Sequence, residues 1–207
     1  MGPSRGVAAE VVQSFGKSTR DRGILFSAPM VQAILAGGKT QTRRPALRAS
    51  EYPMVPARCP YGRIGDLLWV RETWGLLDTE PSDGPERAHV FYRATDGKRP
   101  ELRYQLWRPS IFMPRWASRL TLRIVDVRAQ RLQEISEADA RAEGVRPSAA
   151  LTVVDNHGSW HPELANTHRG ALACLWDSLN AKRAPWGANP PVWAITFELV
   201  SDQSDAR

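Results

Sequence analysis

The sequence predicts an α+β domain, mainly β, built as a small, partly closed β-barrel with short helices at its rim and long loop insertions. Three observations carry that expectation. Short β-rich stretches recur in series, among them "GDLLWVRETW", "AHVFYRA", "RLTLRIVDVRAQRL" and "PVWAITFEL". A few short stretches with helical periodicity lie between and around them. The remainder, near residues 75–87, 96–116 and 146–168, is loop rich in Pro, Gly, Asp and His.

Taken in order, residues 1–22 show no periodicity and many small or charged residues, which predicts a flexible leader. "SAPMVQAILAGG" reads as a helix, with Ser27 at its N-cap, Pro29 in its first turn and an apolar stripe through Met30, Val31, Ile34 and Leu35. Gly37 and Gly38 supply the backbone freedom to end it. A strand is expected from Leu67 to Trp74, then a second in "AHVFYRA", a long bent third, and a closing strand near the C-terminus. "SEADARAEGV" opens with Ser136 and Asp139 at capping-box spacing, and "RGALACLWDSLN" sets Leu172, Leu175, Trp176 and Leu179 on one helix face. No repeat or linker divides the chain, so residues 23–200 are expected to form one domain, with 201–207 a frayed tail.

Composition narrows the function classes. No apolar run approaches the roughly 20 residues of a membrane helix, and the N-terminus lacks the apolar segment of a secretory signal. Cys59 and Cys174 lie far apart without paired spacing, which argues against a disulfide scaffold and for a reduced, cytoplasmic setting. The net charge is +6, and all but four of the 28 basic residues are arginine. Arginine's planar fork suits phosphates and base edges, so a nucleotide or nucleic-acid partner is one reading; a coding bias toward arginine is the other.

Several residues are candidates for chemistry. Alternation puts Leu68, Val70, Glu72 and Trp74 on one strand face, which sets Glu72 either at a barrel mouth as a substrate contact or in solvent against an arginine. Trp69 and Trp74 are candidates to stack on a base, against the commoner fate of burial. His157, His161 and His168 share one loop without a metal-ligand spacing, and no metal is expected.

The segment "GGKTQTRR", Gly37 to Arg44, is the most informative. Lys39 stands among hydroxyls rather than carboxylates, three residues before Thr42. On a regular strand those two would face opposite ways, so a shared pocket requires Lys39 to lie in the turn and reach over, with Thr42 and Arg44 on one strand face. The segment resembles the G-x-K-x-x-E-x-R signature of ASCH domains, with Gly37, Lys39 and Arg44 in register and Thr42 in place of the glutamate. That same replacement marks the bacterial N4-acetylcytidine amidohydrolases, small ASCH proteins of PUA-like fold. "ISEADARAEGV" is similar to their L-[ST]-E-x-x-A-x-x-E helix and puts Glu143 at its last position. "GDLLWVRETW", "MPRWASR" and "LWDSLN" also resemble longer, phage-type ASCH proteins.

The resemblance implies a Thr42–Lys39–Glu143 catalytic set acting on an N4-acylated cytosine nucleoside, without metal or organic cofactor. Thr42 would be the nucleophile and Lys39 its base, with a pKa lowered by burial and by Arg43 and Arg44. Glu143 would orient Lys39 or carry the proton to the departing amine; a water attacking directly with Glu143 as base is a variant. Arg44 would steady the oxyanion or the base carbonyl, and Arg43 would join it in holding substrate. Three other readings stand beside this one. The segment would be an RNA-binding groove in which Lys39, Arg43 and Arg44 meet phosphates, a ribonuclease cleft, or purely structural.

Overall fold

The computed structural model describes residues 19–46, 58–76, 90–97, 106–147 and 166–202. Its elements in order are strand β1 (Asp21–Leu25), helix α1 (Ala28–Leu35), β2 (Gln41–Pro45), β3 (Leu67–Arg71), β4 (Trp74–Leu76), β5 (Val90–Tyr92), the single turn α2 (Arg93–Asp96), β6 (Leu120–Arg131), α3 (Glu137–Ala142), α4 (His168–Asn180) and β7 (Pro191–Asp202). Five strands form one sheet in the order β1-β3-β6-β7-β2, and β4 and β5 form a separate antiparallel pair. Only β1 and β3 run parallel; the other pairings of the large sheet are antiparallel. The α+β class stands, but the expected barrel does not close. Among the described residues β1 and β2 are the two edges of the large sheet and do not pair with each other.

The spine of the sheet is β6 against β7, paired from Leu120↔Asp202 to Arg131↔Pro191 with two register shifts, the bend that the long third strand was expected to carry. Period-two alternation sorts the β7 side chains between two apolar clusters. Trp193, Ile195 and Phe197 join Ile24, Phe26, Val31, Ile34 and Leu122 under α1. Val192 joins Leu132, Ala140, Leu172 and Trp176 under α3 and α4.

The helices follow their local signals. Ser27 sits at the N-cap of α1 in extended backbone, although its side chain makes no capping hydrogen bond, and Pro29 lies in the first turn. The helix stops at Leu35, and Gly37 takes a φ of 70°, a conformation open to glycine at no steric cost. In α3 the Ser136 hydroxyl accepts from the Asp139 amide at 3.0 Å, as the capping spacing predicts. In α4 the expected stripe is buried at Leu172 and Trp176, yet Leu179 at its end is 71% exposed.

Two boundaries differ from expectation. The strand expected from Leu67 to Trp74 breaks at Glu72 and Thr73, and Trp74 starts β4 in the other sheet. The leader expected over 1–22 overlaps β1, which begins at Asp21, because the edge of β3 offers a parallel partner from Asp21↔Leu67 onward. A short polar segment carries no local sign of such pairing. Among the described residues no helix is long and apolar enough to cross a membrane.

Candidate active site

Lys39 lies between α1 and β2, in a segment stitched to three elements. Its amide donates to the Ala33 carbonyl at 3.0 Å, the Thr40 amide donates to the Ala142 carbonyl at 2.9 Å, and the Thr40 carbonyl accepts from the Phe197 amide at 2.8 Å. These bonds hold Lys39 opposite Glu143, the residue that ends α3. Close approach there requires Gly144, whose φ is 77°; a Cβ at that position would stand 2.8 Å from the Lys39 Cβ.

The Lys39 ammonium is 3% exposed as a residue and donates three hydrogen bonds: to the carbonyls of Gln41 and Glu143, each at 2.8 Å, and to Glu143 Oε2 at 2.9 Å. The other carboxylate oxygen of Glu143 accepts from Arg43 at 3.1 Å. Arg43 also donates to Gln41 Oε1 at 2.6 Å and to Asp139 Oδ2 at 3.1 Å. Gln41 Nε2 in turn reaches Thr196 at 3.1 Å and Asp139 at 3.3 Å. One carboxylate thus holds two cations, and a second carboxylate braces the arginine.

Two opposing effects act on the Lys39 proton. Burial pulls its pKa below the ordinary lysine value, Arg44 and Arg43 act in the same sense, and Glu143 opposes them, leaving a net lowering. Yet three acceptors around Nζ match the three hydrogens of an ammonium, so the resting geometry is that of the charged form.

A cavity of about 430 Å³ opens beside this network. Lys39, Thr42, Arg43, Arg44 and Glu143 all line it, so all three residues of the expected catalytic set reach one space. Thr42 is 4% exposed, and its hydroxyl makes no hydrogen bond among the described residues. Arg44 donates to the Leu25 carbonyl at 2.7 Å, and its guanidinium lies 5.3 Å from the centre of the Phe26 ring. The Lys39 ammonium approaches the same ring at 5.5 Å, so two cations that line one cavity share the Phe26 ring.

Four expected contacts stand elsewhere or differently. Arg43 borders the cavity, but both terminal nitrogens of its guanidinium are spent on Gln41, Glu143 and Asp139, with Nε buried and unpaired; it positions Glu143 rather than reaching out to substrate. Glu72 is off the cavity and 1% exposed, paired with Arg119 at 2.9 Å, because the chain turns it inward where β3 leaves the sheet. Trp74 is 2% exposed, edge-on to Trp116 and under Arg108, with no face open to a base. Trp69 lies across the edge of the sheet with Arg71 and Arg115 at its ring, away from the cavity. Of the loop histidines, His168 pairs with Glu137 at 2.9 Å, and His157 and His161 lie outside the described residues.

Gln41 and Asp139 were not singled out by sequence as site residues, although a signal existed for each. Gln41 alternates with Lys39 and Arg43, and Asp139 precedes Glu143 by one helical turn. The Asp139 amide also meets the Ser136 cap, so the residue serves both the helix start and the cluster.

No family model matches the chain, and no curated protein matches it. Among solved structures it is similar to a DUF984-family protein of Enterococcus faecalis, at 13% identity over 91% of this chain and 85% of that one, with a TM-score of 0.42. It is similar also to an ASCH domain of Lactobacillus crispatus, at 13% identity over 88% of this chain and 80% of that one, with the same TM-score. At these values the roles of the site residues rest on the chain's own geometry.

Proposed function

We propose that the protein is an amidohydrolase that removes an acyl group from the N4 amine of a cytidine-type nucleoside. The observation that carries this reading is the shared cavity: a lysine with a lowered pKa, hydrogen-bonded to a buried glutamate, in one space with a threonine hydroxyl that makes no hydrogen bond among the described residues. A nucleophile needs a base, and the base needs a group to orient it.

In the proposed cycle substrate entry shifts one proton from Lys39 to Glu143 Oε2 along their 2.9 Å hydrogen bond. The neutral amine then takes the Thr42 proton as the Thr42 oxygen bonds to the acyl carbon. Arg44, held by Leu25 and Phe26, offers its charge to the oxyanion that develops. The C–N4 bond breaks as Lys39 returns the proton to the leaving amine. Water, deprotonated by the same base, hydrolyses the threonine ester, releases the carboxylic acid and restores Thr42. The sum is acylcytidine plus water giving cytidine plus acid. Arg43 and Asp139 keep the Glu143 carboxylate in place throughout.

Incubation with N4-acetylcytidine, followed by its ultraviolet shift, tests the reading. Release of cytidine, unaffected by chelator, is the expected result. No turnover, together with salt-sensitive binding of single-stranded RNA, would replace the enzyme with a binding module.

A further inference from the structure

The cavity has one mixed wall, where Phe26 and Met30 stand among polar groups, and one largely apolar wall. Ser27, Thr73 and Ser110 bring hydroxyls to it from the end of the sheet where β1 and β3 lie. The largely apolar wall is α4, which contributes Leu172, Leu175, Trp176 and Leu179, one stripe at helical spacing, with Asn180 at its end. The buried half of that stripe, Leu172 and Trp176, belongs to the core beneath α4. Leu175 packs against the edge of that same core, which leaves Leu179 without such an explanation. Leu175 is only partly buried and Leu179 is 71% exposed, yet both face the space that Lys39 and Thr42 share.

We propose that this stripe is an acyl-group subsite, and that the site therefore favours acylcytidines carrying a longer apolar acyl chain over acetylcytidine. The inference rests on the amidohydrolase reading. A scissile amide at Thr42 divides its substrate into a polar part, the nucleoside, and an acyl part that is apolar beyond its carbonyl. Arg44, the hydroxyls and the Phe26 ring of the mixed wall suit the first; the leucines of α4 suit the second. An acetyl group ends in one methyl and leaves Leu175 and Leu179 facing water, whereas a longer chain removes apolar surface on both partners. An acyl chain held alike in the bound substrate and in the transition state lowers KM, so the preference appears in kcat/KM.

The experiment compares kcat/KM for N4-acetyl-, N4-butyryl- and N4-hexanoylcytidine in the parent and in Leu179→Asp, an exposed position at which the fold tolerates charge. In the parent kcat/KM is expected to rise about two- to fourfold per added methylene. In Leu179→Asp the hexanoyl-to-acetyl ratio is expected to fall by about tenfold, the effect of setting a charge beside the chain terminus. A flat or falling series with acetylcytidine still hydrolysed overturns the subsite and leaves the amidohydrolase standing. No hydrolysis of any of the three overturns both. A Leu179→Asp variant with an unchanged series but a smaller mass in sedimentation would assign the stripe to a second copy of the chain and overturn the subsite.

Discussion

Glu143 and Glu72 invite comparison because burial and pairing treat them alike. Both are at most 5% exposed and both accept from an arginine, Glu143 from Arg43 and Glu72 from Arg119. Their surroundings diverge. Arg119 is closed over by the Tyr92 ring at 4.0 Å and donates to Thr95 at 3.2 Å, so that pair fastens the break between β3 and β4 to the start of β6 and to α2. Glu143 meets a second cation, Lys39, and stands at a cavity with a hydroxyl beside it. A buried ion pair is therefore no sign of a site by itself. The open space beside Glu143 distinguishes the two, since it gives the substrate somewhere to sit.

The sharpest way to break that comparison is to neutralise each glutamate. Both Glu72→Gln and Glu143→Gln leave buried cations uncompensated, and each is expected to cost about 3–5 kcal/mol in denaturant unfolding. Hydrolysis per folded molecule should separate them: intact in Glu72→Gln, and down by about 10²–10⁴-fold in Glu143→Gln. Equal losses in both would mean that the Glu143 cluster is as structural as the other.

Lys39→Arg keeps the charge and removes the base. Arginine does not give up its proton in a protein, so hydrolysis is expected to fall by about 10²-fold or more in a variant that still folds. Retained turnover would leave Lys39 as a fixed charge that orients substrate, comparable to Arg119 in the other pair.

A third difference is titration. Because the folded-state pKa of Lys39 is lowered, the unfolded chain binds the proton more tightly between the folded value and the ordinary lysine value. Stability should accordingly rise with pH across that window, relative to a Lys39→Met variant, in urea unfolding followed from neutral to alkaline pH. Catalysis that needs the neutral amine should rise through the lower edge of the same window. A parent and variant with parallel stability profiles would contradict the lowered value.

The smallest expected effect concerns the helix that delivers Glu143. Ser136→Ala removes the cap of α3 and is expected to cost about 1 kcal/mol, read from thermal unfolding. The rate should fall only modestly, because Lys39 and Arg43 still hold the carboxylate from β2 and the segment before it.

By itself the sequence determined whatever depends on neighbours within a few residues. Periodicity located α1 and α4, Ser136 and Asp139 located the start of α3, and the runs of β-branched and aromatic residues located β3, β5, β6 and β7. Lys39, Thr42 and Glu143 were legible as a set only through the resemblance of two segments to a known family's signatures, since nothing local marks a residue 104 positions away as a partner. The tertiary structure decided which charges meet. It paired Glu72 with Arg119, turned Trp74 into the second sheet, and gave Arg43 to Asp139 and Glu143 instead of leaving it open. It also decided that β1 would pair with β3 and that the large sheet would stay open between β1 and β2. The physical reason is the same in each case. Helix and strand propensities are written in adjacent side chains, whereas a buried charge takes the partner that chain packing brings within hydrogen-bond reach, and in a chain with 28 basic residues composition leaves that choice open.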